Sequence, residues 1–221
     1  MTEAPKGTDQ QTAPGRRIEA SSFAQVDAEA GDKSRYDADQ WAMVRRMIHA
    51  TGDFDFNGRV RFHPAAMAAG FEAVRAGAPI YADVEMIRAG VSAPRLERFG
   101  MRIECRINDP ETLRLADEHG TTRSEQAVAL AAQEGILDGA IVAVGNAPTA
   151  LRAILRRTLA GEIQPRLILA MPVGFVDAAE SKAAIMETSP VPWIAITGRK
   201  GGSPLAVAAL HALLALNEEP S

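Results

Sequence analysis

The chain has 221 residues, and its 24 Lys and Arg against 28 Asp and Glu leave a formal net charge of −4, which argues against a global electrostatic grip on nucleic acid or anionic lipid. Apolar residues at 47% and charged residues at 24% give the balance of a soluble globular protein with one main core. The lone Cys105 excludes an internal disulfide framework and a cysteine-rich zinc site, no run approaches the roughly 20 apolar residues of a membrane span, and the N-terminus lacks the apolar centre of a signal peptide; a cytoplasmic protein is expected.

Residues 1–15 hold nine Thr, Pro, Gly and Gln and only three apolar residues, too few to offset the entropy of ordering. They predict a disordered tail that runs to residue 17, followed by a single domain over residues 18–217. Residues 38–50 place Trp41, Val44, Met47 and Ile48 along one helical stripe, and Gly52 is suited to close that helix. An extended segment around Arg59 to Phe62 follows. A second helix is predicted from Pro64 to about Gly77.

Downstream, β-type runs at 79–84, 101–107, 140–145, 166–172 and 191–198 alternate with helical patterns at 110–118, 123–134, 148–160, 177–187 and 204–216. The last three strands are nearly continuous apolar runs, as parallel strands covered on both faces should be. These runs predict an α/β fold: three layers, α/β/α, around a mainly parallel five-stranded sheet.

In such sheets ligands bind beyond the carboxyl ends of the strands. Three strand exits there are unusual: GNAPTAL (145–151), PVGFVDAAESK (172–182) and GRKGGS (198–203). Their glycines permit close backbone approach, and the helices that follow aim N–H groups at an anion. Backbone geometry alone also explains Gly and Pro in such turns. The spacings of G-x-G-x-x-G, of a phosphate-binding Lys loop, of G-x-S-x-G and of H-E-x-x-H are all missing, which weakens nucleotide, hydrolase and zinc-enzyme readings.

His49 lies one turn after Arg45 and Arg46, where it either borders a cleft or closes the helix. Imidazole titrates near neutrality and can exchange a proton without a metal. His63, His119 and His211 read as a loop residue, a helix-closing residue and a helix residue. Arg123 and Ser124 at a helix start, and Arg199 and Lys200 in a glycine-rich exit, suit carboxylate binding as well as local capping or solvation. Glu180 and Lys182 read as surface residues of a helix, with catalytic use of Lys182 the lesser alternative.

Taken in order, SSFA (21–24), VRRMIHATGDFDF (44–56), AGAPIYADVEMI (76–87), TTRS (121–124), GNAPTAL, MPVGFVDAAESK (171–182) and GRKGGS resemble the precorrin-8X methylmutase family, also called cobalt-precorrin-8 methylmutase. The resemblance covers most of residues 18–215. It implies a flavodoxin-like domain, a homodimer, and a 1,5-sigmatropic methyl shift from C-11 to C-12 of a corrin precursor in cobalamin biosynthesis. The product is hydrogenobyrinate, or cobyrinate when cobalt is present, and no cofactor or protein-bound metal is needed.

By the same resemblance His49 exchanges a proton with the ring, and Ser22 and Arg46 contact substrate. Arg123, Ser124, Arg199, Gly201, Gly202 and Ser203 are further substrate-binding candidates, partly on their donor chemistry. Thr51 stands where some members carry Cys. Hand-over of product to the next corrin enzyme is a further expected partnership, with no nucleic acid or membrane involved. The alternatives are a non-catalytic corrinoid carrier and a phosphate-handling α/β enzyme.

Overall fold

The computed structural model describes residues 12–218. Six strands form one sheet: β1 Val60–Phe62, β2 Ile80–Ala82, β3 Ile103–Glu104, β4 Ile141–Val144, β5 Leu167–Ala170 and β6 Trp193–Ile196, in the order β1-β6-β5-β4-β2-β3. All neighbours are parallel except β1, which runs antiparallel to β6 with Val60 opposite Ile196 and Phe62 opposite Ile194. The sheet therefore has six strands and not the expected five. The added strand is the extended segment before the second helix, and at three residues it is too short to carry a period of its own. The five parallel strands have the flavodoxin-like winding order, with a switch point between β2 and β4.

Ten helices surround the sheet among the described residues: α1 Ala13–Glu29, α2 Ala38–Thr51, α3 Ala66–Arg75, α4 Glu85–Gly90, α5 Ala93–Arg98, α6 Pro110–Glu118, α7 Arg123–Gln133, α8 Pro148–Leu159, α9 Ala178–Thr188 and α10 Ser203–Glu218. Alternation along the strands divides the core in two. Ile80, Ala82, Ile141, Ala143, Leu167, Leu169, Ile194 and Ile196 pack toward α2, α3 and α10. Tyr81, Val142, Val144, Ile168, Ala170 and Ala195 pack toward α8 and α9. Both faces are covered, so the central strands β2, β4, β5 and β6 are apolar, while the edge strands β1 and β3 carry Arg61 and Glu104. Each large aliphatic residue taken out of water there contributes about 1.5–3 kcal/mol.

The expected tail is corrected in part. Residues 13–17 are helical: Thr12 accepts a hydrogen bond from the Gly15 N–H and Pro14 sits in the first turn, so a polar, proline-bearing stretch serves as a helix start. Residues 1–11, the rest of that expected tail, lie outside the described residues. The short helices α4 and α5 were not expected, because six residues fall below the window in which helical periodicity shows. No helix among the described residues is long and apolar enough to cross a membrane.

Candidate active site

The loops leaving β2, β4, β5 and β6 interlock at the carboxyl edge of the sheet. At the switch point the side chain of Asp83, 1% exposed, accepts the backbone N–H groups of Gly145, Asn146 and Ala147 at 2.8–2.9 Å. Burial raises the pKa of this carboxyl even though the three N–H bonds favour its ionised form. The donors that would receive a phosphate at this switch point are thus taken by the chain itself, which removes the support that the 145–151 loop lent to a phosphate-handling enzyme.

Gly145 lies against Ser203, where a Cβ would come within 2.8 Å of the Ser203 Cα. Further along the edge, Gly202 donates its N–H to Met171 O at 2.8 Å and Gly174 donates to Arg199 O at 3.2 Å. A side chain at Gly201 would meet the carbonyl oxygens of Met171 and Pro172, the latter at 2.5 Å. Only glycine allows this approach.

A second group of residues gathers where α1 crosses α2. Asp37 and Gln40 form a capping box that starts α2, and Gly52, with φ of 66°, ends it. The Thr51 hydroxyl also bonds Met47 O, so His49 is not the cap. Its imidazole is exposed, makes no hydrogen bond among the described residues, and meets the edge of Phe23 with centroids 5.2 Å apart. The Arg45 and Arg46 guanidinium groups lie over the same Phe23 ring. Arg46 is paired with Glu19 at 3.0 Å, while Arg45 and the Trp41 indole both donate to Asp27. The Ser22 hydroxyl donates to Ile18 O within its own helix.

Lys200 joins the two groups. Its ammonium bridges Asp53 at 2.5 Å and Asp55 at 3.0 Å, in the turn that follows the His49 helix. These bonds lower both aspartate pKa values and raise that of Lys200. The structure thus brings His49 and Arg46 together around Phe23 and ties Lys200 to the turn after their helix, while Ser22, next to Phe23 in the chain, bonds neither of them among the described residues. Arg199 lies over the Phe175 ring at 5.6 Å.

Arg123 and Ser124 open α7 beside the loop that leaves β4. Thr122 before them reaches Thr149 in the first turn of α8, but no hydrogen bond, ion pair or ring contact among the described residues joins Arg123 or Ser124 to the His49 group. His63 accepts from the Ala65 N–H, His119 ends α6, and His211, half-buried on α10, accepts from the N–H of Ser92, distant in sequence.

Lys182 corrects the sequence reading. It is 0% exposed and not a surface residue. Its signal was present in the spacing of Ala178, Ser181, Lys182 and Ile185, the i, i+3, i+4, i+7 stripe that α9 buries. Asp83 and Glu19 were also missed, because their partners are distant in sequence.

A doubly wound parallel sheet whose strand-exit loops are tied together at its carboxyl edge is the architecture of an α/β enzyme. The comparisons give the family. The sequence model of the precorrin-8X methylmutase family matches residues 17–216. The cobalt-precorrin-8 methylmutase of Leptospira interrogans is 41% identical over 210 residues, covering 93% of this chain and 95% of that one. The precorrin-8X methylmutase of Pseudomonas aeruginosa is 44% identical over 200 residues, covering 90% and 94%. A crystal structure of precorrin-8X methylmutase from Thermus thermophilus superposes with a TM-score of 0.85 at 49% identity, covering 92% of this chain and 96% of that one. The chain belongs to the precorrin-8X methylmutase family.

Proposed function

We propose that this chain is an isomerase that moves a methyl group from C-11 to C-12 of precorrin-8X, or of its cobalt form, giving hydrogenobyrinate or cobyrinate in cobalamin biosynthesis. The observation that carries this reading is the His49 imidazole, exposed and without a hydrogen bond among the described residues, on a helix capped at both ends. It lends a proton to the conjugated ring, polarising it while the methyl group migrates, and takes the proton back afterwards, so the reaction is a net isomerisation. General acid catalysis of this kind supplies about 100-fold to 10,000-fold.

The substrate is a broad apolar ring edged with carboxylates. Exposed Phe54, in the turn that Lys200 bonds, and Val173, in the loop leaving β5, offer apolar surface to the ring. Arg46, Arg199 and Arg123 are assigned to ring carboxylates, and Ser22, Ser124, Ser203, Gly201 and Gly202 supply smaller donors. Phe175 and Val176, 87% and 84% exposed, also favour a homodimer, in which a second copy covers them. Product hand-over to the next enzyme and a cytoplasmic location complete the reading.

The test is His49→Ala with authentic metal-free and cobalt-containing substrate, followed by absorption spectra. The variant should keep its fold and bind product but lose turnover at least 100-fold. Wild-type turnover by the variant excludes the role of His49. A wild-type protein that binds corrins tightly but converts neither substrate is a carrier.

A further inference from the structure

Lys182 is a cation in the interior with no carboxylate paired to it among the described residues. Its ammonium is fully buried on α9 and makes one hydrogen bond, to Lys200 O at 2.7 Å; no acidic side chain pairs with it among the described residues. Desolvation pushes its pKa down to about 8, which still leaves it mostly charged at neutral pH. A fold retains an unpaired buried charge only at a cost in stability, and such costs concentrate at functional sites.

Lys200 lies in the 198–202 loop, and its carbonyl turns inward to the ammonium. In a planar trans peptide the C=O and the following N–H point in opposite directions. The Gly201 N–H therefore faces away from Lys182, and it makes no hydrogen bond among the described residues. The loop cannot readily turn over. Gly201 is pressed against the Met171 and Pro172 carbonyls, Gly202 is bonded to Met171, and Arg199 O accepts from Gly174.

Resting on the methylmutase reading above, we propose that Lys182 is a positioning residue for substrate: its buried ammonium orients the Lys200–Gly201 peptide so that the Gly201 N–H meets a ring carboxylate, and its uncompensated charge favours that anion. A donor fixed before binding needs no reorganisation when the ligand arrives, and a positive charge in a low-dielectric setting acts on an anion across a peptide's width.

The experiment compares wild type with Lys182→Met and Lys182→Gln. It measures binding of hydrogenobyrinate and of its neutral methyl ester, KM and kcat with substrate, and Tm. Lys182→Met, matched in length but apolar, should weaken hydrogenobyrinate binding about tenfold and raise KM by a similar factor, with kcat within about threefold and Tm at or above wild type. Binding of the ester should be unchanged between wild type and variant, because the effect acts through a carboxylate. Hydrogenobyrinate affinity within threefold of wild type overturns the proposal. So does an equal loss for acid and ester, or a loss accompanied by a fall in Tm, since each marks a structural role. If Lys182→Met does not fold, Lys182→Gln decides by the same criteria, and failure of both to fold also overturns it. Wild type that binds product but shows no turnover sinks the isomerase reading and leaves the binding comparison standing; wild type that binds neither sinks both.

Discussion

The loops after β2, β4, β5 and β6 are joined by backbone groups and held from the interior, whereas α1 and α2 meet through side chains at the surface. On the loop side, Asp83 gathers three N–H groups, and glycines bring peptide units against one another. On the helix side, α1 buries only Val26, and its attachment runs through Phe23, Asp27 and Glu19. Buried bonds with no water to replace them hold a fixed shape; half-exposed ion pairs are worth about 1 kcal/mol or less and are screened by salt. A fixed set of loops and an adjustable helix are therefore joined through Lys200.

The contrast breaks most visibly at Asp83. Asp83→Ala leaves three buried N–H groups without an acceptor and should cost about 3 kcal/mol or more in urea unfolding. A change below about 0.5 kcal/mol would show that the loops hold without it.

Asp27→Ala removes the acceptor shared by Trp41 and Arg45 and should cost about 1 kcal/mol. Its larger signature is local: amide hydrogen exchange should speed up through α1 while the sheet keeps its protection. Equal acceleration in both would mean that α1 and the core open as one unit.

The smallest effect concerns acid, and its sign differs between the two sides. Asp53 and Asp55 have lowered folded pKa values, led by their hydrogen bonds to Lys200. Their contribution is present above the ordinary aspartate value of about 3.9 and is lost as pH falls through the lower folded values. Burial raises the folded value of Asp83, so its contribution is greatest below the ordinary value and declines as pH rises. Tm measured from pH 5 to pH 2 should fall less steeply in the Asp53→Asn, Asp55→Asn double variant than in wild type. Parallel curves would remove the Lys200 bridge from the account.

Much of this was legible in the chain. The stripe through Val44 and Ile48 and the stop at Gly52 place α2 and give His49 its position, and the continuous apolar runs of β4, β5 and β6 announce a sheet covered on both sides. What could not be read was tertiary. Asp83 and its acceptor role span 62 to 64 residues, and a lone Asp after a strand has no local pattern. No helix was read before residue 38: the composition of the first fifteen residues favours disorder and α1 buries only Val26, although Thr12 and Pro14 are start signals. Lys182 was misread because charge was weighed ahead of helical phase.

The carboxylate at the switch point has one more consequence. Because Asp83 is covalently part of the chain, its effective concentration beside the 145–147 amides is constant, and dissolved sulfate or inorganic phosphate must compete with a group that never diffuses away. Where other doubly wound proteins leave a receptor for a small ion to fill, this chain settles the matter as it folds, and the shape of that corner is independent of the metabolite pool.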